Sequence, residues 1–283
     1  MYFPKLFRVG TIAIGNAMLK GALFNEVAPD NGMYDVLYRP LIGRNILQDF
    51  IWQIDNDNDS LTVFANNNPY MLRRYATGYE KFEDGINSLP VSVQGIAPSP
   101  FLVDLGSDYD LIIDKAIRDD LAGKCSPRKI LSYGGKEDVD TIEEFEHLNV
   151  KIGNLVFIDC SAVHLKRVNR NVVGQRFMGR CNFILGYEKD SDGYNAENLY
   201  LQKSSRVYRV GTLVPKVGFN VGYRDKKPYI TLLDLQGPAA KAGVTVGRRV
   251  ISLNDGSIHV DAKSINSGIT EMKLEQAKSV RIR

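Results

Sequence analysis

The run Phe101-Leu102-Val103-Asp104-Leu105-Gly106-Ser107 carries a carboxylate at the end of an apolar stretch that Pro100 opens. Branched and aromatic residues in such a run read as a buried strand. Gly106 permits a tight backbone turn, and a small residue such as Ser107 leaves room for a neighbouring loop. Asp104 is therefore expected at a turn, as the catalytic candidate, with Leu105, Gly106 and Ser107 forming the turn. A carboxylate presented in this way suits acid–base work. Two of them, close enough to share one proton, titrate apart. One then acts as base on a water and the other as acid toward a carbonyl oxygen. The chain displays only one of the two.

Other chemistry-bearing residues point elsewhere. Asp55, Asp57 and Asp59 alternate like the start of a calcium loop. The glycine position of that loop holds Ser60, and its closing glutamate position holds Asn66, so a polar hairpin turn is expected. Glu143-Glu144-Phe145-Glu146-His147 reads as a solvated face ahead of a strand at Val150. Cys125, Cys160 and Cys181 form no CxxC pair, and His147, His164 and His259 add no metal-ligand spacing. Structural or free thiols are expected, with a bridge between two of them open in an exported protein. His164 follows Cys160 by four residues without further support for a nucleophile. No phosphate-cradling loop follows a strand. Neither a metal nor another cofactor is expected.

The elements that must position Asp104 are mostly strands. Phe7–Ile14, Leu61–Phe64, Val91–Val93, Leu155–Ile158 and Leu199–Leu201 are short, rich in Val, Ile, Phe and Tyr, and separated by turn residues. Helical patterns are few: Asp114–Leu121 and Ile265–Lys278. The fold class is mainly β. Net charge is only +3, and the basic runs Lys166-Arg167 with Arg170 and Arg248-Arg249 are short. Solvated faces are expected there, and no nucleic-acid partner. No apolar run is long enough for a membrane span.

An internal repeat organises the chain. Thr11-Ile12-Ala13-Ile14-Gly15-Asn16 resembles Asn149-Val150-Lys151-Ile152-Gly153-Asn154, and Leu41-Ile42-Gly43-Arg44-Asn45 resembles Val172-Val173-Gly174-Gln175-Arg176. Each copy continues with an apolar strand, an acidic turn and a last strand. These are Phe50–Ile54, Asp55–Ser60 and Leu61–Phe64 in the first copy. In the second they are Asn182–Leu185, the Asp190–Gly193 region and Leu199–Leu201. The same interval projects Asp104 to a position before Met1, so copy one reads as the second half of a unit. Tyr75–Asn87 is polar and punctuated, like a linker. Met1–Lys5 leads into no leader peptide, and the repeat suggests an N-terminal portion upstream of Met1.

With these features the chain resembles the retropepsin-like aspartic peptidases, in the bacterial arrangement of two lobes followed by a PDZ domain. The match rests on Leu89–Gly95 with Phe101–Asp104, on Gly106-Ser107 with Leu111-Ile112-Ile113, and on Val172-Val173-Gly174 with Phe177. In the family, the last element packs behind the catalytic turn. The resemblance implies a partial lobe at 1–78, a complete acid-protease-like β-barrel lobe at 83–203, and Asp104 as a catalytic carboxylate acting on peptides. The second carboxylate would come from a symmetric homodimer or from upstream of Met1. Leu105 stands where the family has Thr or Ser, so the hydroxyl that ties two catalytic turns together is missing. The alternative is a non-catalytic peptide-binding or scaffold protein of the same descent. A periplasmic or secreted location follows from the resemblance alone.

Residues 208–283 resemble a PDZ domain through Val217-Gly218-Phe219-Asn220-Val221, Gly237-Pro238-Ala239-Ala240-Lys241-Ala242-Gly243-Val244 and Val250-Ile251-Ser252-Leu253-Asn254. Arg248 replaces the aspartate usual after Gly247. The resemblance implies that backbone N–H groups of Gly218, Phe219 and Asn220 receive a C-terminal carboxylate while the peptide adds a strand to the sheet edge.

Overall fold

Apolar residues alternate along most of the chain, and they bury themselves by pairing as strands. The computed structural model describes residues 6–14, 17–25, 47–48, 50–65, 72, 74–134, 139–189, 195–206, 213–224, 227–253, 271–274 and 280–281. The strands are β1 (Leu6–Ile14), β2 (Ala17–Asn25), β3 (Phe50–Asp55), β4 (Ser60–Ala65), β5 (Glu80–Phe82), β6 (Leu89–Val93), β7 (Ser99–Asp104), β8 (Leu111–Ile113), β9 (Arg128–Tyr133) and β10 (Val139–Ile152). They continue with β11 (Leu155–Leu165), β12 (Val172–Gly174), β13 (Cys181–Lys189), β14 (Asn195–Lys203), β15 (Phe219–Arg224), β16 (Lys227–Asp234), β17 (Val250–Leu253), β18 (Glu271–Leu274) and β19 (Val280–Arg281). The protein is mainly β, as its short apolar segments and few helical patterns led us to expect.

Six strands in the order β11-β8-β12-β7-β6-β10 close into a barrel, because β10 pairs back onto β11. Alternation sorts its residues. Val103, Leu111, Ala162 and Val173 join the central core, whereas Ile112, Val163 and Val172 belong to a separate cluster on the outer face. The pairing of β12 with β7 is parallel, and so is that of β11 with β8. β9 extends the sheet beyond β10, followed by β16 and β15, so one nine-stranded sheet runs from the barrel into the C-terminal region.

A second sheet has the order β4-β3-β13-β14-β5. Phe50, Trp52, Phe183 and Leu185 pack its inner side onto the barrel core, while Ile51 and Ile184 meet Leu72 and Tyr200 on the other side. The repeat that aligns Gly43 with Gly174 also aligns Gln53 with Ile184. In the sheet Gln53 pairs with Ile184, flanked by Ile54 against Phe183 and Trp52 against Leu185. Residues that the sequence repeat aligns thus face each other across an antiparallel pair. The β1–β2 hairpin and the β17-β18-β19 sheet are separate sheets, the latter linked to β16 by a bridge between Tyr229 and Arg249.

The helix expected at Asp114–Leu121 is α1 (Lys115–Ala122), and Asp114 caps it by accepting the Ile117 N–H at 3.0 Å. Two short helices, α2 (Gln175–Met178) and α3 (Pro238–Lys241), each follow a glycine. Three expectations need correction. Glu271–Leu274, inside the expected helix Ile265–Lys278, is a strand. It pairs with β17 on one side and β19 on the other, and two ladders outweigh a modest helical preference; residues 265–270 and 275–278 lie outside the described residues. The Glu143–His147 run is no solvated face. It lies inside β10, with Phe145 in the core and Glu144 buried. The presumed linker Tyr75–Asn87 is built into the fold, since β5 pairs with β14 and buries Phe82. Residues 41–46, which carry part of the repeat, lie outside the described residues.

Candidate functional site

Val103 faces the barrel core, so its neighbour Asp104 turns to the opposite, outer face, where it is half-buried. The chain reverses immediately. The Gly106 N–H donates to Asp104 Oδ1 at 2.9 Å, and the Ser107 N–H donates to the Asp104 carbonyl at 3.1 Å. The expected turn therefore forms, with Leu105 at its tip, 42% exposed. Ser107 Oγ is buried with no hydrogen-bond partner among the described residues.

The turn is held from behind by β12. Val172 pairs with Leu102, Val173 with Val103 and Gly174 with Asp104. The Gly174 N–H donates to the Asp110 carbonyl at 2.8 Å, and the Gln175 N–H to the Ser107 carbonyl at 2.9 Å. The Gln175 side-chain amide also reaches the Asp108 carboxylate. A Cβ on Gly174 would fall 2.8 Å from the Ser107 carbonyl oxygen and closer still to that of Tyr109. Only glycine lets the two backbones approach in this way.

Asp110 had no place among the sequence-derived candidates. It is buried, accepts the Ser161 N–H at 2.9 Å and pairs with Arg180 at 3.4 Å. Burial pushes its carboxyl above the usual range, opposed by the Ser161 bond and by Arg180. Arg180 also donates to the carbonyls of Ile158 at 3.1 Å and Asp159 at 2.8 Å. These contacts frame the turn from below. An acid directly before the apolar run Leu111-Ile112-Ile113 was the only hint of them.

The outer face continues past Asp104. Ile112 pairs with Val172, Val163 with Ile112, Glu144 with Val163, and Ile130 with Ile142. Glu144, 2% exposed, takes Arg128 at 2.5 Å.

The remaining candidates resolve differently. Asp55–Ser60 forms the expected polar hairpin turn: Asp55 accepts the N–H groups of Asp57 and Asn58, and Asp57 reaches Asn182 and Ser204. Burial pushes the thiols of Cys160 and Cys181 up to about 12, the wrong direction for a nucleophile. All three cysteines are free. A cavity of about 400 Å³ lies at the far end of β8 from Asp104, lined by Lys115, Arg118, Glu143, His164 and Lys166 among others. Arg118 is spent there on Glu143, at 2.6 and 2.8 Å. Among the described residues no group of His, Cys, Asp and Glu could hold a metal ion, and no helix is long and apolar enough to cross a membrane.

In the C-terminal region Gly218 adopts φ +90° and packs on Gly237, where a Cβ would come within 3.2 Å of the Gly237 Cα. Its N–H donates to the Pro215 carbonyl at 2.8 Å and is committed inside the turn. Phe219 is buried and opens β15. Asn220 is half-buried, and its side chain accepts the Val221 N–H at 2.9 Å. Among the described strands β15 pairs only with β16, and its other edge takes no described strand.

Neither a protein-family model nor a curated protein matches this chain.

Proposed function

We propose that the chain is an aspartic-type endopeptidase unit, a retropepsin-like barrel lobe over 83–203, joined to a PDZ-like peptide-binding unit over 208–283. The observation that carries this is the pairing of Leu102–Asp104 with Val172–Gly174. In the resembled family an apolar-apolar-glycine element backs the catalytic turn, and here the glycine is the residue whose absent side chain lets it do so. In this reading Asp104 is one half of the carboxylate pair, and an extended peptide lies across the outer face beside it. Asp108 and Asp110 are not the other half, since Gln175 engages the first, and Ser161 and Arg180 the second. β13 already pairs with β3 and β14 of the same chain, so that strand has no free edge for a second subunit.

A non-catalytic peptide-binding protein is the second reading. It is favoured by the exposed Leu105, which offers no hydroxyl to tie a second turn, and by the edge of β15 that no described strand covers. Cleavage of a broad peptide library between about pH 3 and 7, the window of a shared-proton pair, separates the two. The expected result is cleavage by the chain and none by Asp104→Asn. Cleavage that survives in Asp104→Asn would overturn the assignment of Asp104. Peptide binding without cleavage by either form would leave the second reading.

A further inference from the structure

Leu213 and Val214 precede β15, the first described strand of the C-terminal unit, yet they pack on the barrel. Leu213 is 8% exposed and Val214 0%. They form one cluster with Ile112, Ile130, Ile142, Val163 and Val172. None of these five belongs to the barrel core; they are the outward residues of β8, β9, β10, β11 and β12. Paired residues of neighbouring strands share a face. Val172 pairs with Leu102, two residues before Asp104 on the same strand, so the face that Leu213 and Val214 cover is the face onto which Asp104 points. The main chain is held as well: the Leu213 N–H donates to Glu144 Oε1 at 3.2 Å, and Glu144 is itself fixed by Arg128. An apolar wall beside the candidate carboxylate, with a buried acceptor for a backbone N–H, is what an extended peptide needs for an aliphatic side chain and its amide.

We propose that Ile112, Ile130, Ile142, Val163 and Val172, with Glu144, form an aliphatic side-chain subsite of the peptide groove, and that Leu213-Val214 fill it as an intramolecular occupant. The proposal rests on the reading of the Asp104 face as a peptide groove. A peptide ligand then carries adjacent aliphatic residues at this position and must displace the strap to bind fully.

The probe is a fluorescein-labelled peptide with the chain's own sequence from Arg209 to Val217. Its affinity is measured by fluorescence anisotropy in an Asp104→Asn background, so that nothing depends on turnover. The Leu213→Ser/Val214→Ser variant should bind the probe at least tenfold more tightly than the parent with its strap unaltered. A probe in which that Leu-Val pair is Ser-Ser should not bind. Equal probe affinity for the variant and the parent, when both melt cooperatively, would overturn the proposal. If the double variant does not fold, Leu213→Ala serves instead, with at least a threefold gain expected and an unchanged affinity counting against it. Failure of the peptidase reading looks different: tighter probe binding by the variant, but no cleavage of an unlabelled Leu-Val peptide when Asp104 is intact.

Discussion

Gly174 constrains the candidate site more tightly than any residue on the turn itself. Replacing it with alanine puts a methyl group against two backbone carbonyl oxygens of the 107–109 segment, which directly follows the Asp104 turn. Such overpacking costs roughly 3 kcal/mol. Gly174→Ala should lower the urea midpoint accordingly and abolish any Asp104-dependent cleavage, whereas Gly106→Ala, with only the Asp104 carboxylate nearby at 3.1 Å, should cost less. Equal midpoints for Gly174→Ala and the parent would refute the close-approach account. Asp104 was legible in the sequence because a strand-then-turn pattern is local. Gly174 was legible only as a member of a repeated apolar-apolar-glycine element. The roles of Asp110 and Glu144 were not legible, because each is decided by a partner distant in sequence: Ser161 and Arg180 for the first, Arg128 and Leu213 for the second.

At the level of elements, the hairpin of β3 and β4 is tied to copy two through Asp57. Its carboxylate accepts from the Ser204 hydroxyl, the Asn182 amide and the Ser205 N–H. The Ser204 and Asn182 bonds hold its carboxyl down at about 2, against an ordinary 3.8. A depressed folded value means that the ionised form is favoured by the fold, so this contribution is fully present above about pH 4 and is lost as pH falls toward about 2. Other depressed acids, such as Asp59 and Glu143, titrate in the same direction, so the informative quantity is a difference. Urea midpoints at about pH 5, 3 and 2 should converge for Asp57→Asn and the parent as the pH falls. A gap that stays constant would show that Asp57 acts through shape rather than charge. The acidic turn was legible because both copies carry one, but its function as a clasp between copies was not. The same limit explains the correction at Glu271–Leu274, where pairing on two sides overrode a local helical pattern.

The whole molecule is joined by β9. Leu232, Leu233 and Asp234 of β16 pair with Ser132, Leu131 and Ile130, so the barrel sheet continues into the C-terminal unit without a break in hydrogen bonding. The apolar clusters interlock across that seam. Leu131 of β9 packs in the C-terminal cluster, while Leu232 of β16 packs in the outer-face cluster of the barrel. Arg128 faces Asp234 at 3.6 Å, and the Leu235 N–H donates to the Lys129 carbonyl at 3.0 Å. A C-terminal unit on a tether would have its own transition; one that shares a sheet and two clusters with the barrel should not. Residues 208–283 were set apart in the sequence by their own motifs, with no sign of this seam, because strand pairing between distant segments leaves no local pattern. The full chain should therefore melt in one calorimetric transition, and the amides of β9 and β16 should lose exchange protection together. A chain ending at Arg206 should melt lower and aggregate, since it bares the edge of β9 and uncovers Ile130, Ile142 and Val172. Two resolved transitions in the full chain, or an unchanged melting temperature in the shortened one, would mean that the continuous sheet contributes little coupling. Peptide capture on β15 would then be independent of the Asp104 face. With one transition, a peptide that adds to β15 stiffens β16 and β9 in turn, and its binding should raise protection at Ile130 and Leu131 on the barrel side of the seam.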